Sequence, residues 1–227
     1  VDLDLEVDPA RGRAFRGEVA LRIQLSRAKR AIRLHAHELR VTRARIQWRA
    51  GSQRGHIAWL PEVEMIEVRF EKPVPAGAAT LRLAFAGQLR RDLCGLYAAS
   101  VGQRHYAFTQ LEATNARRFF PCFDEPSMKA RFRIRVTTGT GHAVVSNAPI
   151  ERTRKLGGGS KRVEFRRTPR LSSYLVAVAV GELERSKPVC VGPTQIRVWH
   201  TPGKGRLTAF GLEAARESLA RLERYFS

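Results

Sequence analysis

Cysteine is scarce in this 227-residue chain: three occur, Cys94, Cys122 and Cys190, too far apart for a C-x-x-C pair. That spacing excludes a thiolate zinc knuckle and a dithiol redox motif, and an odd count predicts free, mostly buried thiols in a reducing, cytoplasmic setting. A single bridge from Cys122 to Cys94 or to Cys190 stays open at this level. Long apolar runs are absent as well; none approaches the roughly 18 to 20 residues of a membrane span, so no membrane partner is expected. The opening Val-Asp-Leu-Asp-Leu-Glu-Val-Asp is acidic, unlike the basic leader and apolar centre of a secretory signal. Also missing are the H-E-x-x-H pair of helix-borne zinc ligands and the Gly-x-Ser-x-Gly nucleophile elbow.

Negative charge is short too. Against 41 Lys and Arg stand 21 Asp and Glu, giving a formal net charge of +20 and a pI near 11.3. Such a balance by itself suggests an anionic partner. Only 7 of the 41 are lysines, however, and the arginines are spread through every segment. That dispersal predicts a solvated basic surface and no specific nucleic acid, with a basic nucleic-acid-binding protein as the alternative.

What is present reads as sheet. Val1, Leu3, Leu5 and Val7 alternate with four acids, predicting a half-buried strand with an acidic outer face; a calcium loop is disfavoured because its Gly-containing turn is missing. Alternation returns over 15–25, 32–35, 41–48, 56–60, 65–70 and 81–85, punctuated by Pro9, Gly51-Ser52, Pro61, Pro73, Pro75 and Gly77. Further strands are expected over 131–136, 143–146, 163–165, 174–180 and 196–199, with a hairpin tip at 156–160. This rhythm predicts a mainly β sandwich or saddle. One long helix is expected, over 207–226, with Leu212, Ala215, Leu219, Leu222 and Phe226 on one side and a Glu217–Arg221 pair on the other.

The run from Thr109 to Pro126, TQLEATNARRFFPCFDEP, fits neither a helix nor a strand period. Glu112 lies between Leu111 and Ala113 in an apolar context, which requires either exposure in a cleft or a nearby cation such as Arg117 or Arg118. Asp124 and Glu125 are expected to anchor a turn or to pair with the same two arginines. His35-Ala36-His37 is the only close histidine pair; without a nearby third ligand it is read as structural.

This run resembles the TQ-x-E-A-x-x-A-R-x-x-F-P-C-F-D-E-P signature of the zinc aminopeptidases related to aminopeptidase N and leukotriene hydrolase. Phe15-Arg16-Gly17-Glu18-Val19, Leu34 to Leu39, Gly95-Leu96-Tyr97, Val145-Ser146-Asn147 and Ser172 to Gly181 resemble successive blocks of the same family's first domain. The resemblance implies an amino-terminal β domain over 1–186, then the first strand and helix of a thermolysin-like α+β catalytic domain over 187–227. It implies that Gln110, Glu112 and Ala113 bind substrate, Glu112 taking the α-amine of peptide N-termini, and that the Glu112–Ala113 peptide is cis. Glu at position 112, where the leukotriene-hydrolase branch has Gln, points to an aminopeptidase. Zinc is implied for the full-length enzyme only: the G-A-M-E-N segment, the zinc motif and the oxyanion tyrosine do not occur in this chain. The chain alone is therefore expected to bind no metal and to be inactive, its partner being the missing carboxy-terminal catalytic domain. A stand-alone β-sandwich binding module is the competing expectation.

Overall fold

A computed structural model describes residues 1–226. Its strands are β1 (Asp2–Val7), β2 (Ala14–Leu25), β3 (Lys29–His35), β4 (Arg40–Trp48), β5 (Gly51–Leu60), β6 (Met65–Val74), β7 (Gly77–Gln88), β8 (Gly95–Val101), β9 (Arg104–Gln110) and β10 (Ala130–Arg131). There follow β11 (Arg133–Gly139), β12 (Ala143–Ser146), β13 (Ile150–Lys155), β14 (Ser160–Phe165), β15 (Arg170–Leu171), β16 (Val178–Gly181), β17 (Glu184–Arg185), β18 (Val189–Val191), β19 (Thr194–Ile196) and β20 (Trp199–His200), and the helix α1 (Thr208–Phe226). Ten strands form one sheet in the order β13-β14-β11-β1-β2-β7-β4-β5-β6-β3, and four form a second in the order β12-β16-β9-β8. The mainly β expectation is met.

The alternation explains the large sheet. Leu3, Leu5 and Val7 of β1, Val19 and Leu21 of β2, Ile46 of β4, Ile66 and Val68 of β6 and Leu81 and Leu83 of β7 turn to one face and are almost wholly buried. Fully burying a side chain of this kind stabilises by about 1.5–3 kcal/mol. Leu96, Ala107, Val144, Val178 and Val180 of the smaller sheet join the same core. The acids of β1 meet arginines across the ladder: Asp4 lies opposite Arg135, and Glu6 opposite Arg16 with 2.7 Å between charged atoms. The acidic face is thus a set of cross-strand pairs, as a strand reading requires.

Several boundaries differ from expectation. Gly51-Ser52 and Pro73 lie within β5 and β6, and Gly77 opens β7, instead of separating strands. The segment 174–180 begins as a short 3₁₀ turn over Ser173–Leu175 before β16. Asn147 explains this: its side chain accepts from the Ala177 amide at 2.7 Å and donates to the Leu175 carbonyl at 2.8 Å, occupying groups a ladder would use. The strand expected at 196–199 is divided between β19 and β20, which belong to different two-stranded ladders. The hairpin tip at 156–160 does join β13 to β14.

Helix α1 packs on β18 and β19. Leu212, Ala215 and Leu219 are partly covered, whereas Leu222 and Phe226 are exposed; Glu217 and Arg221 approach to 3.8 Å. Among the described residues no helix is long and apolar enough to cross a membrane.

The three cysteines are free, but only Cys122 is buried; Cys94 is partly covered and Cys190 exposed, which corrects the expectation of mostly buried thiols. Burial also pushes the Cys122 thiol well above its ordinary pKa, so its thiolate is depleted as well as inaccessible. Iodoacetamide under native conditions should modify Cys190 first and leave Cys122 intact until denaturant is added, as peptide mass spectrometry would show.

Candidate functional site

Strand β9 delivers the signature. Its pairing with β16 ends at Ala179 opposite Phe108, and the Thr109 hydroxyl then continues the contact, accepting from the Val178 amide at 2.9 Å. Gln110, exposed, closes the ladder to β8 opposite Gly95. Beyond it the chain alternates between anchor and display. Leu111 is 2% exposed and Ala116 fully buried, while Glu112, Ala113 and Thr114 between them face outward. The Asn115 amide donates to the Leu111 carbonyl at 2.8 Å, and its side-chain Nδ2 donates to the Glu112 carbonyl at 3.2 Å, closing the loop. The Glu112–Ala113 peptide is cis.

Aromatic packing fixes the rest of the segment. Phe119 and Phe120 are fully buried, edge-to-face at 5.3 Å; Phe119 lies 6.4 Å from Phe15, and Phe120 6.2 Å from Phe132. These rings tie the segment to β2 and to the approach of β11, each contact adding about 0.5–1.5 kcal/mol beyond area burial. The backbone of 35–37 is paired as well: His35 and Cys122 exchange two hydrogen bonds, at 2.8 and 3.0 Å, and the His37 amide donates to the Arg117 carbonyl at 2.9 Å.

The two arginines are occupied within the domain. Arg117 Nε meets Asp124 Oδ2 at 3.0 Å and its Nη1 meets Glu64 Oε2 at 3.0 Å; Arg118 Nη1 meets Glu38 Oε2 at 3.2 Å. Asp124, 5% exposed, also accepts from the Ser173 hydroxyl at 2.6 Å. Of the two expected acids, Asp124 is therefore the anchor, through Arg117 and not Arg118; Glu125 is exposed and lies 3.8 Å from His35 Nε2. Sequence reasoning missed Glu38, Glu64, Ser173 and Asn115. Both glutamates adopt φ of 54°, a left-handed conformation that nothing in a glutamate announces.

Among the described residues the Glu112 carboxylate has neither a hydrogen bond nor an ion pair; only its main-chain carbonyl is engaged. A salt bridge from Glu112 to Arg117 or Arg118 is not formed. The site thus holds an outward carboxylate on a braced loop, with the nearby cations already satisfied by other acids. Such an arrangement can receive an external cation without first breaking an internal pair.

His35 and His37 do not share a ligand. His35 Nδ1 accepts from the Asp124 amide at 3.2 Å, and His37 Nε2 faces Glu64 at 3.4 Å. No group of three His, Cys, Asp or Glu among the described residues is placed to hold a metal ion. Burial, reinforced by Arg117, lowers the His35 pKa, and burial lowers that of His37. An imidazole that stays neutral in the fold but takes a proton near pH 6.5 when unfolded makes the unfolded state the stronger proton binder below that pH. Stability should hold above about pH 6.5 and fall as pH drops from there towards the lowered folded values. Urea midpoints measured from pH 7.5 to 5 should show this fall, and it should be shallower in His35→Asn.

A two-sheet β domain whose polar connecting segment is clamped by aromatics and displays one uncompensated acid defines the class: a β domain with a rigid, outward acidic loop. Comparison with known proteins gives the family. Residues 1–175 match the Peptidase M1 N-terminal domain, and the chain belongs to that family. It is 34% identical over 225 residues to Aminopeptidase M1-A of Oryza sativa subsp. japonica, covering 95% of this chain and 26% of that protein. It is 37% identical over 163 residues to Probable aminopeptidase 1 of Saccharolobus solfataricus, and 36% identical over 168 residues to Leucyl aminopeptidase of the same organism, covering 70% and 73% of this chain and 21% of each of those proteins. The chain thus spans about a quarter of the length of the curated relatives it matches.

Proposed function

We propose that this chain is the amino-terminal part of an aminopeptidase and that Glu112 receives the α-ammonium of a peptide substrate. The observation that carries the proposal is the exposed, unpartnered carboxylate on a loop anchored at both ends by buried side chains. A positioned carboxylate fixes how far a chain can enter, because the ammonium it binds exists only at the end of the peptide. Gln110 and the main chain at Ala113 complete the pocket in this reading. We place the boundary between the β domain and the catalytic domain near residue 186. The catalytic domain would supply bond cleavage.

Zinc is the metal that the family resemblance implies. Among the described residues the side chains do not fit it, since the imidazoles of His35 and His37 face internal partners and no third ligand converges with them. The metal and its chemistry therefore belong in this proposal to the neighbouring domain, and the chain alone is inactive. The decisive comparison is between a free-amine peptide and its N-acetylated twin in the full-length protein: Glu112→Gln should depress turnover of the first and leave the second, already poor, unchanged.

A further inference from the structure

The face of the ten-stranded sheet that looks away from the core carries an arrangement that the reading above does not use. Arg45 of β4 lies directly opposite Arg54 of β5 and directly opposite Arg82 of β7, so three guanidinium side chains stand in one cross-strand row. All three are exposed. Like charges in direct register weaken a sheet, and among the described residues little offsets them: the Arg54 side chain has no ion pair or hydrogen bond, the Arg45 side chain reaches only the Ser52 hydroxyl, and Arg82 approaches Glu18 at 3.7 Å. The row lies along a groove of about 660 Å³, opened where β4 and β5 diverge beyond the Ala44–Gly55 pair, and Arg43 lines it too. Four guanidinium groups thus face a single carboxylate, Glu18. Trp59, 43% exposed, borders the same groove, but its pairing with Ile66 puts its side chain on the opposite face of β5 from Arg54.

We propose that this groove binds a small polyphosphate, carried by a nucleoside triphosphate or present as free inorganic polyphosphate. Guanidinium forks match phosphate oxygens two at a time. Strands about 4.8 Å apart spread the three guanidinium groups over roughly 10 Å, a span suited to consecutive phosphates. The volume is that of a small-molecule site.

Calorimetric titration of the full-length protein with inorganic tripolyphosphate and with ATP tests the proposal, using the double variant Arg45→Gln/Arg54→Gln. Saturable one-site binding of tripolyphosphate, weakened tenfold or more in the double variant, is the expected result. Affinity for ATP tenfold or more above that for tripolyphosphate assigns the phosphates to a nucleotide, and equal or weaker affinity assigns them to inorganic polyphosphate. The double variant should also melt a few degrees higher in anion-free buffer, because the like-charge row is relieved, so that lost binding is not lost folding. Absence of saturable binding, or equal affinity in wild type and double variant, overturns the proposal. A single-stranded oligonucleotide bound 100-fold more tightly than either probe, with a steep salt dependence, overturns it in favour of a nucleic-acid surface.

Discussion

On the proposed reading, replacing Glu112 by Ala in the full-length protein is expected to lower kcat/KM on free-amine peptides by about 100-fold or more, the scale of a lost charge-assisted hydrogen bond. Glu112→Gln separates charge from shape: it keeps an acceptor of the same length but removes the attraction for an ammonium, so its loss should approach that of the alanine variant. Because Leu111, Asn115 and Ala116 hold the loop without help from the Glu112 side chain, neither substitution should change the denaturation midpoint by more than the roughly 0.5 kcal/mol usual for an exposed position. Activity and stability therefore divide. Kinetics equal to wild type would remove Glu112 from substrate binding, whereas a parallel loss of stability would make it a structural residue.

How far the residues announced this fold depended on whether each strand buries one face. Strands β1, β4 and β7 do, and their alternation is plain in the sequence. Strand β9 was not visible as a strand because consecutive residues on its two faces, Tyr106 and Ala107, are 1% and 0% exposed; burial on both sides erases a period of two. Strand β13 failed for the opposite reason, since all six of its residues are exposed. At the site, the oddity of an acid between Leu111 and Ala113 pointed to Glu112 directly. The partners of Arg117 did not show themselves, because Glu64 is 53 residues away in sequence and Ser173 is 49 residues from Asp124. Such contacts are made by sheet topology, which local pattern does not encode. The same holds for the guanidinium row of the outer face: its arginines read as dispersed along the chain and meet only through the pairing of β5, β4 and β7.

Asp124→Ala should have the largest effect on stability, about 3–5 kcal/mol, the cost of leaving one member of a buried ion pair alone. The Asp124 side chain is 2% exposed and that of Arg117 12%, so water cannot replace what is removed. Three donors lose their acceptor together: Arg117 Nε, the Arg117 amide at 3.4 Å and the Ser173 hydroxyl. Glu64 still faces Arg117 and moderates the penalty, which keeps the expectation within this range. Arg118→Ala is the matched control. Its partner Glu38 is 46% exposed and also bound by Arg90, so this loss should stay below about 1 kcal/mol, as for a surface pair. Urea unfolding of the three proteins measures both differences. If Asp124→Ala proved no more costly than Arg118→Ala, the signature would be held by its phenylalanines alone, and the Asp124 cluster would have to be explained by something other than stability.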